Sequence, residues 1–201
     1  MSLHQQLNGV LEQWAQFDPP VKPTFAAGLS RAEIDYATKD LSFRLPEDVY
    51  EFYMWHDGTV NTNLLPYFYL MSLDEAIYHY NNAPELFIDL VEEVHDSGVL
   101  ARKGECVECC FPLFFDAGGT VLTLPCSKRA QSGELLIAWD ENPPEIVYQN
   151  IESLINTVVT ASETGAYFLP HEGLDIVDVD EEKWRLAAQK CNPDINYWLN
   201  N

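Results

Sequence analysis

"LPEDVYEFYMWHDGT", residues 45–59, decides how this chain is read. Pro46 suits a first helical turn, because its missing N–H would have no intrahelical partner there. Glu47 and Asp48 complement the positive end of a helix. Val49, Phe52, Tyr53 and His56 then share one face, and Tyr50 and Met54 another. Such a helix is apolar over much of its circumference and is expected to be largely buried. Gly58 can adopt the left-handed conformation that ends it. The stretch poses a choice. His56 beside Asp57 could be a catalytic base and its orienter, or a helix-terminal histidine favoured by the negative helix end. Sequence neighbours rarely make such a pair, and no Gly-x-Ser-x-Gly or comparable nucleophile motif is present, so the second reading is preferred.

Upstream, Leu3, Leu7, Val10, Leu11 and Trp14 fall on one helical face behind Ser2, a candidate N-cap. "DPPVKP" stops that helix with an extended connector. "SRAE" (30–33) is a capping box, predicting a second helix from Arg31 to about Leu41. Downstream, "LPYFYLMS" (65–72) reads as a strand, and "SLDE" (72–75) as a further capping box opening a helix through about Tyr80. "APELFIDLVEEVHDSG" continues the helical pattern. The pattern then switches: "CFPLFFDAGG", "TVLTLP", "ELLIAWDE" and "EIVYQ" are short apolar runs separated by turn residues, as in an antiparallel meander. "NIESLINTVVTASETG" returns to helix, with Ile151, Leu154, Ile155, Val158 and Val159 inward and Gly165 past its end. An acidic stretch, "PHEGLDIVDVDEE", leads to a short helix carrying Trp184, Ala187 and Ala188, which "NPD" terminates. Helices on either side of a run of strands indicate an α+β fold, a mostly antiparallel sheet flanked by helices.

The composition narrows the function. The 201 residues suit one domain, and 47% hydrophobic content supplies a packed core. Eleven basic residues against 32 acidic ones leave a net charge of −21. Such a surface repels nucleic acid and anionic lipid and favours basic partners. The N-terminus lacks the basic region and continuous apolar core of a signal peptide, and no stretch is long and apolar enough to span a membrane. Five cysteines (106, 109, 110, 126 and 191) leave one unpaired in any disulfide scaffold. A soluble protein in a reducing cytoplasm is the expectation.

Few groups point to chemistry. "CVECC" (Cys106, Cys109, Cys110) has the spacing of half a zinc site, but no second Cys pair or His pair accompanies it, so no metal is expected. His79 and His95 lie on predicted helices, apart from each other. Gly118-Gly119 in "DAGG" lacks the lysine of a phosphate loop and reads as a tight turn, and "DEN" (140–142) is another strand end. Asp74, Glu75, Asp89, Glu92 and Glu93 form an acidic face that a basic partner could use. No cofactor or catalytic residue is expected.

In order, "GLSRAEID", "LPEDVYEFYMWHDGT", "YFYLMSLDEAIYHY", "CFPLFFDAGGTVLTL" and "ELLIAWDENPPEIVYQNIESLI" resemble the SUKH superfamily, specifically its Smi/Knr branch, over about residues 28–166. The Leu-Pro-acid-acid helix that ends in an aromatic, His or Asn, and Gly is the most specific part. The resemblance implies a sheet flanked by helices and a non-enzymatic protein-binding module. It also implies partner-binding positions at Trp55, His56, Gly58, Asp116 and Gly119. Here "CVECC" stands in place of the more usual tryptophan-containing approach to the "FPLF" strand. Residues 1–27 and 167–201 are then flanking additions, a helix with its Pro-rich connector and an acidic extension. Many bacterial members resemble immunity proteins that neutralise polymorphic toxins of nuclease or deaminase type. Fungal members act as regulatory scaffolds of cell-wall synthesis. The acidic surface favours the first role, against a basic toxin domain; a scaffold of envelope synthesis is the alternative.

Overall fold

The computed structural model describes residues 1–17, 24–59, 63–82, 109–116, 118–126, 133–139, 142–169 and 177–200. The helix expected from "APELFIDLVEEVHDSG", with His95, Asp89, Glu92 and Glu93, lies outside the described residues, as do Cys106 and Asp140-Glu141.

The anticipated caps form. Helix α1 (Leu3–Trp14) starts at Ser2, whose side chain accepts from the Gln5 N–H while the Gln5 side chain accepts from the Ser2 N–H. It buries Leu7, Val10 and Trp14. Helix α2 (Arg31–Ala37) has the expected capping box between Ser30 and Glu33 but stops short of Leu41. Its last turn ends where the Thr38 hydroxyl donates back to the Ile34 carbonyl at 2.8 Å, a local bond that competes with helix continuation. In helix α3 (Glu47–Trp55) Pro46 is the extended cap residue rather than the first helical one, and Val49, Phe52, Tyr53 and Trp55 are buried.

The five-stranded sheet runs β1 (Tyr69–Leu70), β2 (Cys109–Phe115), β3 (Val121–Cys126), β4 (Leu135–Trp139) and β5 (Asn142–Tyr148), in chain order. Every adjacent pair is antiparallel. This is the expected meander. In β2, every residue from Cys109 to Phe114 is buried, so both faces of that strand are covered, which explains a continuous apolar run without alternation. Pro112 is accommodated at a register shift between Pro112 and Phe114, where a strand tolerates a missing N–H. The strand expected over 65–72 is a correction: only Tyr69 and Leu70 pair with β2. Pro66 and Tyr67 form a turn instead, closed by a Leu65–Phe68 bridge. Pro66 cannot donate to a ladder, and Tyr67 takes φ 67°, a conformation no strand contains.

Helix α4 (Leu73–Asn82) follows β1 and packs on β2. Helix α5 (Ile151–Glu163), capped reciprocally by Asn150 and Ser153, buries Ile151, Leu154, Ile155 and Val158 and packs against α1. Val159 is only partly buried. A two-stranded ribbon, β6 (Tyr167–Phe168) with β7 (Asp178–Val179), leads to helix α6 (Glu181–Cys191), which packs on α5. A short helix α7 (Asn196–Asn200) had no counterpart in the sequence reading; it lies on β5. Leu7 and Trp14 of α1 and Trp184 of α6 belong to the same hydrophobic cluster as Phe52, Phe111 and Phe114, giving a single α+β domain.

Candidate functional site

The end of α3 is a junction of three chain segments. Residues 25–29 run across its C-terminus: the Leu29 N–H donates to the Tyr53 carbonyl and the Ala26 N–H to the Gly58 carbonyl. The approach is close enough that a Cβ on Gly28 would sit 2.0 Å from the Met54 carbonyl oxygen. Gly58 turns the chain with φ 88°, and a Cβ there would lie 2.7 Å from the Ser72 nitrogen. The chain then pairs onto the sheet edge, Thr59 N–H to Leu70 carbonyl at 2.9 Å. Glycine at position 58 thus answers both a dihedral and a steric demand.

The ring cluster at this junction is tightly engaged. Trp55 is 6% exposed, and its indole N–H donates to Asn8 Oδ1 of α1 at 2.8 Å. His56 stacks on Phe25 with centroids 4.8 Å apart and meets Trp55 edge-on at 4.5 Å. His56 Nδ1 lies 2.7 Å from the Ala26 carbonyl oxygen. That oxygen can only accept, so Nδ1 carries the hydrogen. Asp57 is committed elsewhere: its Oδ1 accepts the Leu73 N–H at 2.7 Å, capping α4. Burial raises the Asp57 carboxyl above its ordinary value, the Leu73 N–H pulls it back, and Asp74 and Glu33 add to the rise. His56 and Asp57 therefore make no dyad, and the nitrogen that would face an orienting carboxylate is already bonded to backbone.

Beside Asp57, Ser72 Oγ accepts the Glu75 N–H at 3.2 Å, so half of the second capping box forms. The Glu75 carboxylate instead accepts from the Tyr69 hydroxyl, also at 3.2 Å.

Asp116 and Gly119 occupy the β2–β3 turn. Asp116 Oδ1 accepts the N–H groups of Gly118 and Thr120, each at 2.8 Å, and Gly119 takes φ 94°. This carboxylate organises its own turn, as aspartates do where they mimic a backbone acceptor. Trp55, His56 and Gly58 are thus brought together by the junction, whereas the hydrogen bonds of Asp116 stay within its turn. Cys109 and Cys126 face each other across the β2–β3 ladder. Both are buried free thiols, as is Cys110. Among the described residues no three His, Cys, Asp or Glu side chains converge as a metal site would require.

A groove of about 340 Å³ opens on the other side of the turn at residues 65–68. Its floor is the sheet: Leu122, Ile137 and Val147. Leu122 and Ile137 are direct cross-strand partners. Its far walls are Glu181, Trp184 and Arg185 of α6 and Tyr197 and Trp198 of α7. The Trp198 indole N–H donates to the Val147 carbonyl and fixes α7 over β5. Tyr67 stands at the mouth, 63% exposed. Its hydroxyl donates to the Glu181 carboxylate across 114 residues of sequence, and that contact raises the Tyr67 hydroxyl above its ordinary value. Among the described residues Tyr67 alone has positive φ without being glycine, a strain of about 1–2 kcal/mol. Sequence reasoning missed this groove. The signals present were the aromatic pair Tyr197-Trp198 after the "NPD" stop and the Pro66-Tyr67 step inside an assumed strand.

The described geometry is that of a packed domain whose distinctive helix closes a three-segment junction. The model of the SMI1/KNR4 family (SUKH-1) matches residues 28–157. The chain belongs to that family. No curated protein matches the chain. The SUKH match includes α2 to β5 and the first part of α5, and hence the junction and the Asp116 turn. It ends before α6 and α7, so the far walls of the groove come from sequence outside the family model.

Proposed function

We propose that this SUKH protein is a non-catalytic protein-binding module that acts as an immunity protein, neutralising a basic toxin domain of nuclease or deaminase type. The observation that carries this reading is the net charge of −21 on a domain of this family. An acidic inhibitor complements the phosphate-binding surface of a nucleic-acid enzyme, and complementary charge raises the association rate and selects the partner. The engaged states of His56 and Asp57 support a binding role over a catalytic one. Among the described residues no helix is long and apolar enough to cross a membrane. Of the positions proposed for partner contact, Gly119 is exposed and His56 and Asp116 are half-buried, while Trp55 and Gly58 are buried and would act by holding the surface in shape.

The test is binding kinetics across a salt series against any toxin domain found encoded beside this gene. Steering is screened over roughly 8 Å at physiological ionic strength. The on-rate should fall by about tenfold or more from low to high salt, with the off-rate changing less. A salt-independent on-rate, or no binding to any neighbour-encoded protein, would shift the reading to a scaffold of envelope synthesis.

A further inference from the structure

The groove between the 65–68 turn and α6–α7 has features that core packing does not require. Apart from Arg185 its floor and walls are apolar and aromatic, and its mouth carries a carboxylate, Glu181, held by an exposed tyrosine. That tyrosine sits in a backbone conformation disfavoured for its type, and such positions persist where the surroundings over-determine them, often at binding sites. At about 340 Å³ the space lies at the small end of the range for ligand pockets. That is room for one large aromatic side chain. The chain entering α6 carries Asp178, Asp180, Glu181 and Glu182 against Lys183 and Arg185. Lys183 is already engaged, donating to the Gly165 carbonyl at 3.0 Å and pairing with Asp180 at 3.7 Å.

We infer that this groove is a docking site for a basic peptide segment of a protein partner, seating one aromatic side chain against the partly buried rings of Phe68, Tyr197 and Trp198 that line it and placing an adjacent Lys or Arg on Glu181. The inference rests on the binding-module reading and adds the anchor to it. The charge of the chain entering α6 selects the occupant: Asp178, Asp180, Glu181 and Glu182 outnumber Lys183, which is engaged, and Arg185, so the approach to the groove is net acidic. The Tyr67 hydroxyl occupies Glu181 in the free protein, so it competes with the incoming cation and marks the place the cation takes. Because α6 and α7 lie beyond the family match, this anchor is specific to chains that carry such an extension.

The probe is the blocked tripeptide Lys-Trp-Lys, titrated into the full chain while the indole resonances of Trp184 and Trp198 are followed by NMR. Glu-Trp-Glu and Lys-Ala-Lys are the controls. Lys-Trp-Lys should shift both indoles saturably, with affinity about tenfold above either control. Two variants separate the bond from the charge and should move affinity in opposite directions: Tyr67→Phe removes the Tyr67–Glu181 bond, while Glu181→Gln keeps an acceptor for the tyrosine and removes the charge. Tyr67→Phe frees the carboxylate and should tighten Lys-Trp-Lys about threefold, while Glu181→Gln should weaken it about tenfold. A purely structural role for the bond would weaken Lys-Trp-Lys in Tyr67→Phe and leave Glu181→Gln close to wild type, and that result overturns the inference. Equal binding of the three peptides, or shifts confined to other residues, also overturns it. If a neighbour-encoded toxin binds wild type and both variants alike and the peptides are not distinguished, the groove fails and the immunity reading stands. If the peptides are distinguished but no toxin binds, the groove stands and the immunity reading fails.

Discussion

Four glycine-to-alanine substitutions separate the two demands that the α3 junction makes on its backbone. Gly58 combines φ 88° with a virtual Cβ 2.7 Å from the Ser72 nitrogen. Gly119 has the dihedral alone, φ 94° with nothing within 4 Å of its virtual Cβ. Gly28 has the close approach alone, with its virtual Cβ 2.0 Å from the Met54 oxygen. Gly9, inside α1, has neither. Alanine at a left-handed position costs about 1–2 kcal/mol, and forcing a methyl into filled space about 1–3 kcal/mol. Gly119→Ala should then cost about 1–2 kcal/mol and Gly28→Ala up to about 3 kcal/mol, because the clash is with backbone that cannot swing aside. Gly58→Ala should be the worst, at about 2–5 kcal/mol. Gly9→Ala should instead stabilise by about 0.5–1 kcal/mol through helix propensity. At this chain length each kcal/mol moves Tm by about 2–4 °C, so Gly58→Ala should lower it by about 10 °C. Urea titrations and thermal melts followed by circular dichroism provide the measurement. Equal losses at Gly58 and Gly119 would show that Ser72 does not press on Gly58. A neutral Gly28→Ala would remove the close crossing of the 25–29 segment over α3.

Phe52 is 1% exposed and packs against Trp55 and Phe114; Phe52→Ala should cost about 3–5 kcal/mol in urea unfolding, and an unchanged midpoint would count against its place in the core. The raised Asp57 carboxyl means the folded state holds that proton more tightly than the unfolded chain, so the wild type loses stability from this group as pH rises through the folded value. Asp57→Asn, neutral but still an acceptor for the Leu73 N–H, should therefore be the more stable protein at pH 7. That advantage should vanish at acid pH, and a gap that widens on acidification would refute the sign. Burial pushes the Cys110 thiol up to about 12, and Cys109 and Cys126 are buried beside it. Mass-spectrometric mapping of native protein treated with a thiol reagent at pH 8 should find these three unmodified until denaturant is added; rapid native labelling at Cys110 would refute the burial.

Local signals with a chemical mechanism were legible in the sequence. Ser2 and Ser30 each begin a helix because their side chains and the N3 residue satisfy each other's free N–H groups. The Cys109–Tyr148 meander was legible because apolar runs alternate with turns. The order of motifs around "LPEDVYEFYMWHDGT" carried the family. What stayed hidden depends on partners distant in sequence. Asn192 read only as a helix stop. In the fold it is fully buried, donating to Thr157 Oγ1 and the Ala188 carbonyl and accepting from the Gln149 N–H. Tyr67 looked like one more strand residue, because the backbone conformation forced by the 65–68 turn leaves no mark on side-chain alternation. The groove needed both failures to be seen at once, since one wall comes from the turn and the other from α6 and α7.

The family's most specific stretch and the groove thus divide the work differently from what a motif search suggests. Trp55, Gly58 and Gly28 meet in a junction whose contacts are internal: indole to Asn8, backbone to backbone, ring to ring. Substituting them should lower stability first and binding only through it. Tyr67 and Glu181 contribute one exposed hydrogen bond to the fold, so changing them should leave Tm within about 1–2 °C, as surface substitutions do. The two groups of positions therefore predict opposite signatures in the same pair of assays. Junction variants should share one relation between lost stability and lost binding, because unfolding alone removes the binder. Groove variants should depart from it, with affinity changing at constant stability. If Glu181→Gln and Tyr67→Phe instead fall on the junction line, the groove is packing, and partner recognition must be sought at His56, the Asp116 turn and the acidic surface.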